Sequence, residues 1–173
     1  MTPEERAKKI KLLLLDVDGV LTDGRIIYDS RGHELKFFDV HDGLGVYLLK
    51  KQGIKTILIT AKGSGAIRPR ARDMQVEAVY ENITPKSIVY EKIIKKYNLK
   101  DKEICFVGDD FVDLCVMEKV GFAIAVSNAC PEIKEVSHYV TQKEGGRGAV
   151  REVAELILKT QDKWYKAIEP YHI

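Results

Sequence analysis

Short apolar runs alternate along the chain with longer stretches whose apolar residues recur at helical spacing. Residues 11–15, 55–59, 76–80, 103–107 and 122–126 are rich in Ile, Leu and Val, without the side-to-side alternation of a half-exposed strand. Such runs suit a parallel sheet covered on both faces. Between them, residues 43–51, 64–74, 85–97 and 110–120 have helical spacing, and a further helix is expected over 149–159, after the glycine-rich segment 145–148. In the 85–97 helix, starting at Thr84-Pro85, Ile88, Ile93, Ile94 and Tyr97 are expected to share one face. Alternation of strand and helix with short links predicts an α/β fold, a doubly wound Rossmann-like parallel sheet sandwiched by helices. One segment departs from the rhythm: residues 25–28 and 33–39 flank the turn-forming Asp29-Ser30-Arg31-Gly32, which predicts a β-hairpin inserted at about 24–39.

The 173 residues suit a single domain spanning 1–173, with a C-terminal tail from about 161. A net charge of +2 without a basic run points away from nucleic acid, and Lys8-Lys9 and Lys95-Lys96 read as solvated helix faces. No stretch approaches the roughly 20 apolar residues that cross a bilayer, and the four leucines near the start are too few for a secretory signal. Cys105, Cys115 and Cys130 lack metal-ligand spacing and read as small buried apolar residues, which fits a reducing cytoplasm.

In an open parallel sheet, ligands bind beyond the carboxyl ends of the strands, where strand order reverses. The first strand ends in Asp16-Val17-Asp18-Gly19, the second in Thr60, and the fourth in Gly108-Asp109-Asp110, while Lys86 opens the helix after the third. Taken singly, each aspartate could merely cap backbone N–H groups. Together, Asp16, Asp18 and Asp109 would repel one another unless a hard divalent cation sat among them, magnesium above all. A metal held by carboxylates with open positions calls for an anionic substrate such as a phosphate, whose remaining oxygens Lys86 and Thr60 would meet. The chemistry so selected is phosphoryl transfer.

These residues resemble the four ordered motifs of the haloacid dehalogenase superfamily: Asp16-Val17-Asp18-Gly19-Val20-Leu21-Thr22, then Thr60, Lys86 and Gly108-Asp109-Asp110-Phe111-Val112-Asp113. The resemblance implies that Asp16 is the nucleophile and Asp18 the general acid and base. It also implies a magnesium ion held by Asp16, the Asp18 backbone carbonyl, Asp109 and Asp110, with Asp113 behind them. A response-regulator receiver domain places its acidic pair after the first strand, so the position of Asp109-Asp110 argues against it. The intervals between motifs hold no cap domain, which leaves the site open unless partner subunits close it. The apolar pairs Ile26-Ile27 and Phe37-Phe38 make the hairpin a candidate interface.

Asp23-Gly24-Arg25, Phe38-Asp39-Val40-His41-Asp42-Gly43 and Gly145-Gly146-Arg147-Gly148-Ala149-Val150-Arg151-Glu152 narrow the resemblance to the 3-deoxy-D-manno-octulosonate 8-phosphate phosphatases. That family implies a homotetramer associating through its hairpins, and a tail, here 164–173, that can reach a neighbouring site or simply fray. It further implies that Asp39, Val40, His41, Asp42, Gly43, Thr60, Ala61, Lys62 and Arg70 border a phosphorylated sugar acid, alongside Asp18 and Lys86. The sequence departs from the family at His41, where arginine is usual, and at Thr60-Ala61-Lys62, where Thr-Gly-Arg is usual. Lysine keeps the charge and loses the two-pronged grip of a guanidinium. Two alternatives follow: a phosphatase of another sugar acid, such as a nonulosonate 9-phosphate, or a noncatalytic oligomerisation module.

Overall fold

The computed structural model describes residues 1–171. Its strands are Leu12–Leu15 (β1), Ile27–Tyr28 (β2), Glu34–Leu35 (β3), Lys55–Ile59 (β4), Ala78–Tyr80 (β5), Ile104–Gly108 (β6), Phe122–Ala125 (β7) and Tyr139–Val140 (β8). Its α-helices are Pro3–Ala7 (α1), Val40–Lys51 (α2), Ile67–Asp73 (α3), Ser87–Tyr97 (α4), Leu114–Met117 (α5), Pro131–Val136 (α6), Ala149–Thr160 (α7) and Trp164–Ile168 (α8). Six strands form one parallel sheet in the order β5-β4-β1-β6-β7-β8, and β2 with β3 make the separate antiparallel hairpin. The four leucines of β1 are all buried, as a central strand covered on both faces requires. The chain winds outward from β1 through β4 to β5, then returns to lay β6 on the other side of β1. Strand order therefore reverses at β1, and the loops after β1, β4 and β6 face one crevice.

The five sheet strands expected from the apolar runs are all present, and the α/β sandwich is as expected. Helix details differ. On α4 the buried face is Val89, Tyr90 and Ile93, whereas Ile88 is exposed. Ile88 and Ile93 stand five residues apart, roughly 140° around a helix, so they cannot share a narrow face. The helix expected over 110–120 is instead a short 3₁₀ turn, Phe111–Asp113, followed by α5. α2 starts three residues earlier than its apolar spacing suggests, because Asp39 caps it by accepting the His41 N–H at 2.7 Å. A cap is a local polar signal that apolar periodicity does not register.

α7 carries a strongly one-sided apolar face, with Val150, Val153, Ala154, Ile157 and Leu158 buried, and packs on α2. Gly45 permits the approach, since a side chain there would press on the Arg151 backbone. Within the expected tail, α8 docks against α2 and α7, with Ala167 buried and Trp164 lying beside Arg151 and Lys159. His172 and Ile173, the end of the expected tail, lie outside the described residues. No helix among the described residues is long and apolar enough to cross a membrane. Cys105 is buried as expected, and Cys115 and Cys130 are half-buried.

Candidate active site

A crevice of about 280 Å³ opens at the carboxyl ends of the strands, lined by Asp16, Asp18, Gly24, Thr60, Ala61, Lys62, Asp109, Asp110 and Val112. One carboxylate oxygen from each of Asp16, Asp109 and Asp113 lies within 4.8 Å of the others. Gly19 makes this convergence possible. Its backbone is left-handed, at φ +92°, and a methyl group on it would overlap the Asp109 carboxylate.

Behind the crevice, Lys86 is buried and its Nζ donates to Asp16 Oδ1 and to Asp113 Oδ1, each at 2.6 Å. Burial works against its charge, but the two carboxylates prevail and its pKa lies above the ordinary lysine value. Asp113 is fully buried, and its second oxygen accepts the Asp109 N–H at 3.0 Å. Both Asp113 oxygens are thus engaged within the protein, so it serves to aim Lys86 and Asp109 although it falls within the acidic cluster. Asp110 is exposed and accepts its neighbour Phe111's N–H at 2.8 Å, capping the 3₁₀ turn. Thr60 is buried, its hydroxyl donating to the Lys62 carbonyl at 3.0 Å, which folds Thr60-Ala61-Lys62 into the crevice wall.

Burial pushes the Asp16 carboxyl up to about 6, and burial together with Asp16 and Asp113 pushes Asp109 up to about 8. Carboxylates this crowded, facing an open crevice, form a donor set that suits a hard divalent cation. The structure thus supports the inferred metal, with Asp16 and Asp109 as the side chains that would hold it.

The residues around the start of α2 form a second cluster outside the lining of this crevice. Asp39 caps the helix, Val40 is exposed, and the His41 ring lies 3.0 Å from Asp39 Oδ1. Arg70 crosses over Gly43, donates to the Asp39 carbonyl at 2.6 Å, and stacks near Phe38. Asp42 is buried and accepts the Arg151 N–H at 2.8 Å, tying α2 to the first turn of α7, while its other oxygen has no hydrogen-bond partner among the described residues.

Burial, opposed by the Arg151 N–H and reinforced by the Asp39 charge, pushes Asp42 up to about 6 from 3.8. Between these values the folded chain holds a proton that the unfolded chain has lost. Asp42 therefore lowers stability as pH rises from about 4 to 6, by on the order of 3 kcal/mol once fully ionised. Chemical denaturation from pH 4 to 8 should show the wild type losing about that much relative to Asp42→Asn. A constant difference between the two proteins across that range would refute it.

Apolar spacing did not reveal Lys36. From the hairpin, its nearly buried side chain, 3% exposed, pairs with Asp18 and with Glu34 Oε1 at 3.1 Å. The available signal was an inverted alternation. Glu34, Lys36 and Phe38 turn inward while Leu35 and Phe37 face solvent.

Residues 70–153 match the haloacid dehalogenase-like hydrolase family. The chain is 39% identical to the 3-deoxy-D-manno-octulosonate 8-phosphate phosphatase KdsC of Yersinia pestis, over 92% of this chain and 85% of that one. Its structure matches that of the Moraxella catarrhalis 3-deoxy-D-manno-octulosonate 8-phosphate phosphatase, solved with magnesium ion, phosphate ion and KDO, with a TM-score of 0.95. The two are 40% identical, and the match covers 98% of each chain. A cobalt-bound Haemophilus influenzae deoxy-D-mannose-octulosonate 8-phosphate phosphatase gives a TM-score of 0.87 at 32% identity, over 91% of this chain and 92% of that one. With its four motifs gathered at the reversal point of a parallel sheet, the chain belongs to the 3-deoxy-D-manno-octulosonate 8-phosphate phosphatase family of haloacid dehalogenase-like hydrolases.

Proposed function

We propose that this chain hydrolyses 3-deoxy-D-manno-octulosonate 8-phosphate to 3-deoxy-D-manno-octulosonate and phosphate, with magnesium, as a step in supplying lipopolysaccharide precursors. The observation that carries the reading is the meeting of Asp16, Asp109 and Lys86 at one crevice in a chain 39% identical to enzymes of that name. A carboxylate of Asp16 attacks phosphorus, so that a bond to Asp16 forms as the sugar–oxygen bond to phosphorus breaks. Asp18, at the solvent side of the crevice, gives its proton to the departing alcohol. It then takes a proton from the water that attacks the aspartyl-phosphate, which frees inorganic phosphate and restores Asp16. Lys86 fixes the attacking carboxylate, and Thr60 borders the phosphate. Asp16, Asp109 and the Asp18 carbonyl would hold magnesium, with Asp110 direct or through water, which would offset the negative charge of phosphate and carboxylates.

Of the residues proposed to border the sugar acid, Asp18, Thr60, Ala61 and Lys62 line the crevice itself. For Asp39, Val40, His41, Asp42, Gly43 and Arg70, that role rests on the family resemblance. The proposed assembly is a cytoplasmic homotetramer. Its support is the hairpin's outward face, where Ile26 is 64% and Phe37 66% exposed, with Tyr28 and Leu35 beside them.

The test is phosphate release from the 8-phosphate by purified protein. Release should stop when EDTA removes the metal and return with magnesium. Failure to release phosphate, alongside turnover of a nonulosonate 9-phosphate, would move the assignment to that substrate. Absence of any metal-dependent phosphatase activity would favour a noncatalytic module.

A further inference from the structure

Glu34 joins Lys36, the partner of the crevice residue Asp18, to Lys62, which itself lines the crevice. Its Oε1 accepts from Lys36 Nζ at 3.1 Å, and its Oε2 stands 3.3 Å from Lys62 Nζ. Lys36 in turn pairs with Asp18. The result is a row of alternating charge, Asp18, Lys36, Glu34, Lys62, running from one lining residue of the crevice over the inward face of the hairpin to another. The first three members satisfy one another. The last does not close the row, because the Lys62 side chain is 49% exposed and among the described residues its only other polar partner is the Tyr28 hydroxyl at 3.3 Å. A row that ends on a half-exposed ammonium at the mouth of a crevice offers that charge to an anionic group of the ligand. The phosphate belongs at the other end, beside Asp16 and buried Lys86. An anion met by the Lys62 ammonium would then be a second one on the substrate, distinct from the phosphate.

We propose that Glu34 is a positioning residue for substrate selection: it aims Lys62 at the carboxylate of a sugar-acid phosphate and, through Lys36, ties that contact to the side chain that transfers the proton. The role rests on the sugar-acid phosphatase reading above. Glu34 touches neither phosphorus nor the reacting oxygens. A flexible lysine left without its carboxylate partner samples many rotamers and loses aim, whereas a phosphate ester without a carboxylate never uses it.

The test compares wild type, Glu34→Gln and Glu34→Asp on 3-deoxy-D-manno-octulosonate 8-phosphate and on p-nitrophenyl phosphate, which has no carboxylate. Glu34→Gln should raise KM for the sugar acid about tenfold, with kcat changed less than about threefold. Its loss in kcat/KM on p-nitrophenyl phosphate should be at least about fivefold smaller than on the sugar acid, and Glu34→Asp should recover part of the KM. Equal losses on the two substrates would mean that Glu34 merely holds the hairpin in place, and no loss on either would mean that Lys62 needs no aiming; each result overturns the role. A wild type active on p-nitrophenyl phosphate but inert on the sugar acid would overturn the functional reading instead, and this role with it.

Discussion

Asp16→Asn should lower magnesium-dependent phosphate release at least about ten-thousandfold, because an amide oxygen cannot form and then surrender a bond to phosphorus as a carboxylate does. The substitution nearly preserves shape, so the loss belongs to chemistry. Lys86 keeps its 2.6 Å partner Asp113, and the crowding that pushes Asp109 up to about 8 is eased when the Asp16 charge goes. The thermal midpoint at pH 8 without metal should therefore stay level or rise while activity vanishes. Turnover within tenfold of the wild type would mean that phosphorus is attacked by some other group, and the resemblance would have misassigned the nucleophile.

The parts of this molecule that were legible in the sequence are those whose physics is local or repeated. β1 is four consecutive leucines, and only a strand covered on both faces buries them all. Asp16, Thr60, Lys86 and Asp109 were found because ligand sites follow strand ends, and strand ends could be read from where apolar runs stop. The two-residue β8 and the six-residue α6 escaped because neither is long enough to show a period. The hairpin was legible from its turn residues, but not which member of each apolar pair faces solvent. Phe37-Phe38 looks like an apolar pair, yet Phe37 faces solvent and Phe38 packs inward with Glu34 and Lys36. Alternation there turns Glu34, Lys36 and Phe38 inward and Leu35 and Phe37 outward, so two charged residues take the inner face that an ordinary hairpin gives to apolar ones. Asp113 and Lys86 lie 27 positions apart, and no spacing rule announces that they touch.

That last contact carries the largest stability effect expected of any single change. Lys86→Met replaces a buried ammonium by an apolar chain of similar length and leaves Asp16 and Asp113 facing each other without their counter-charge. Breaking one side of a buried ion cluster costs about 3–5 kcal/mol, since fully buried Asp113 cannot reach water and neither carboxylate keeps its counter-charge. In a chain of 173 residues this should lower the thermal midpoint by roughly 10 °C, measured without metal. Activity should fall about a hundredfold to a thousandfold as well, the usual loss when a fixed charge beside the reacting group is removed. The double variant Lys86→Met, Asp113→Asn separates the two effects. Removing the Asp113 charge takes away much of the stranded repulsion while an amide oxygen can still accept the Asp109 N–H, now 3.0 Å from Asp113. Stability should return by about half or more, and activity should not. If both stability and turnover recovered together, Lys86 would be a structural counter-ion alone, and its place beside the nucleophile would owe nothing to catalysis.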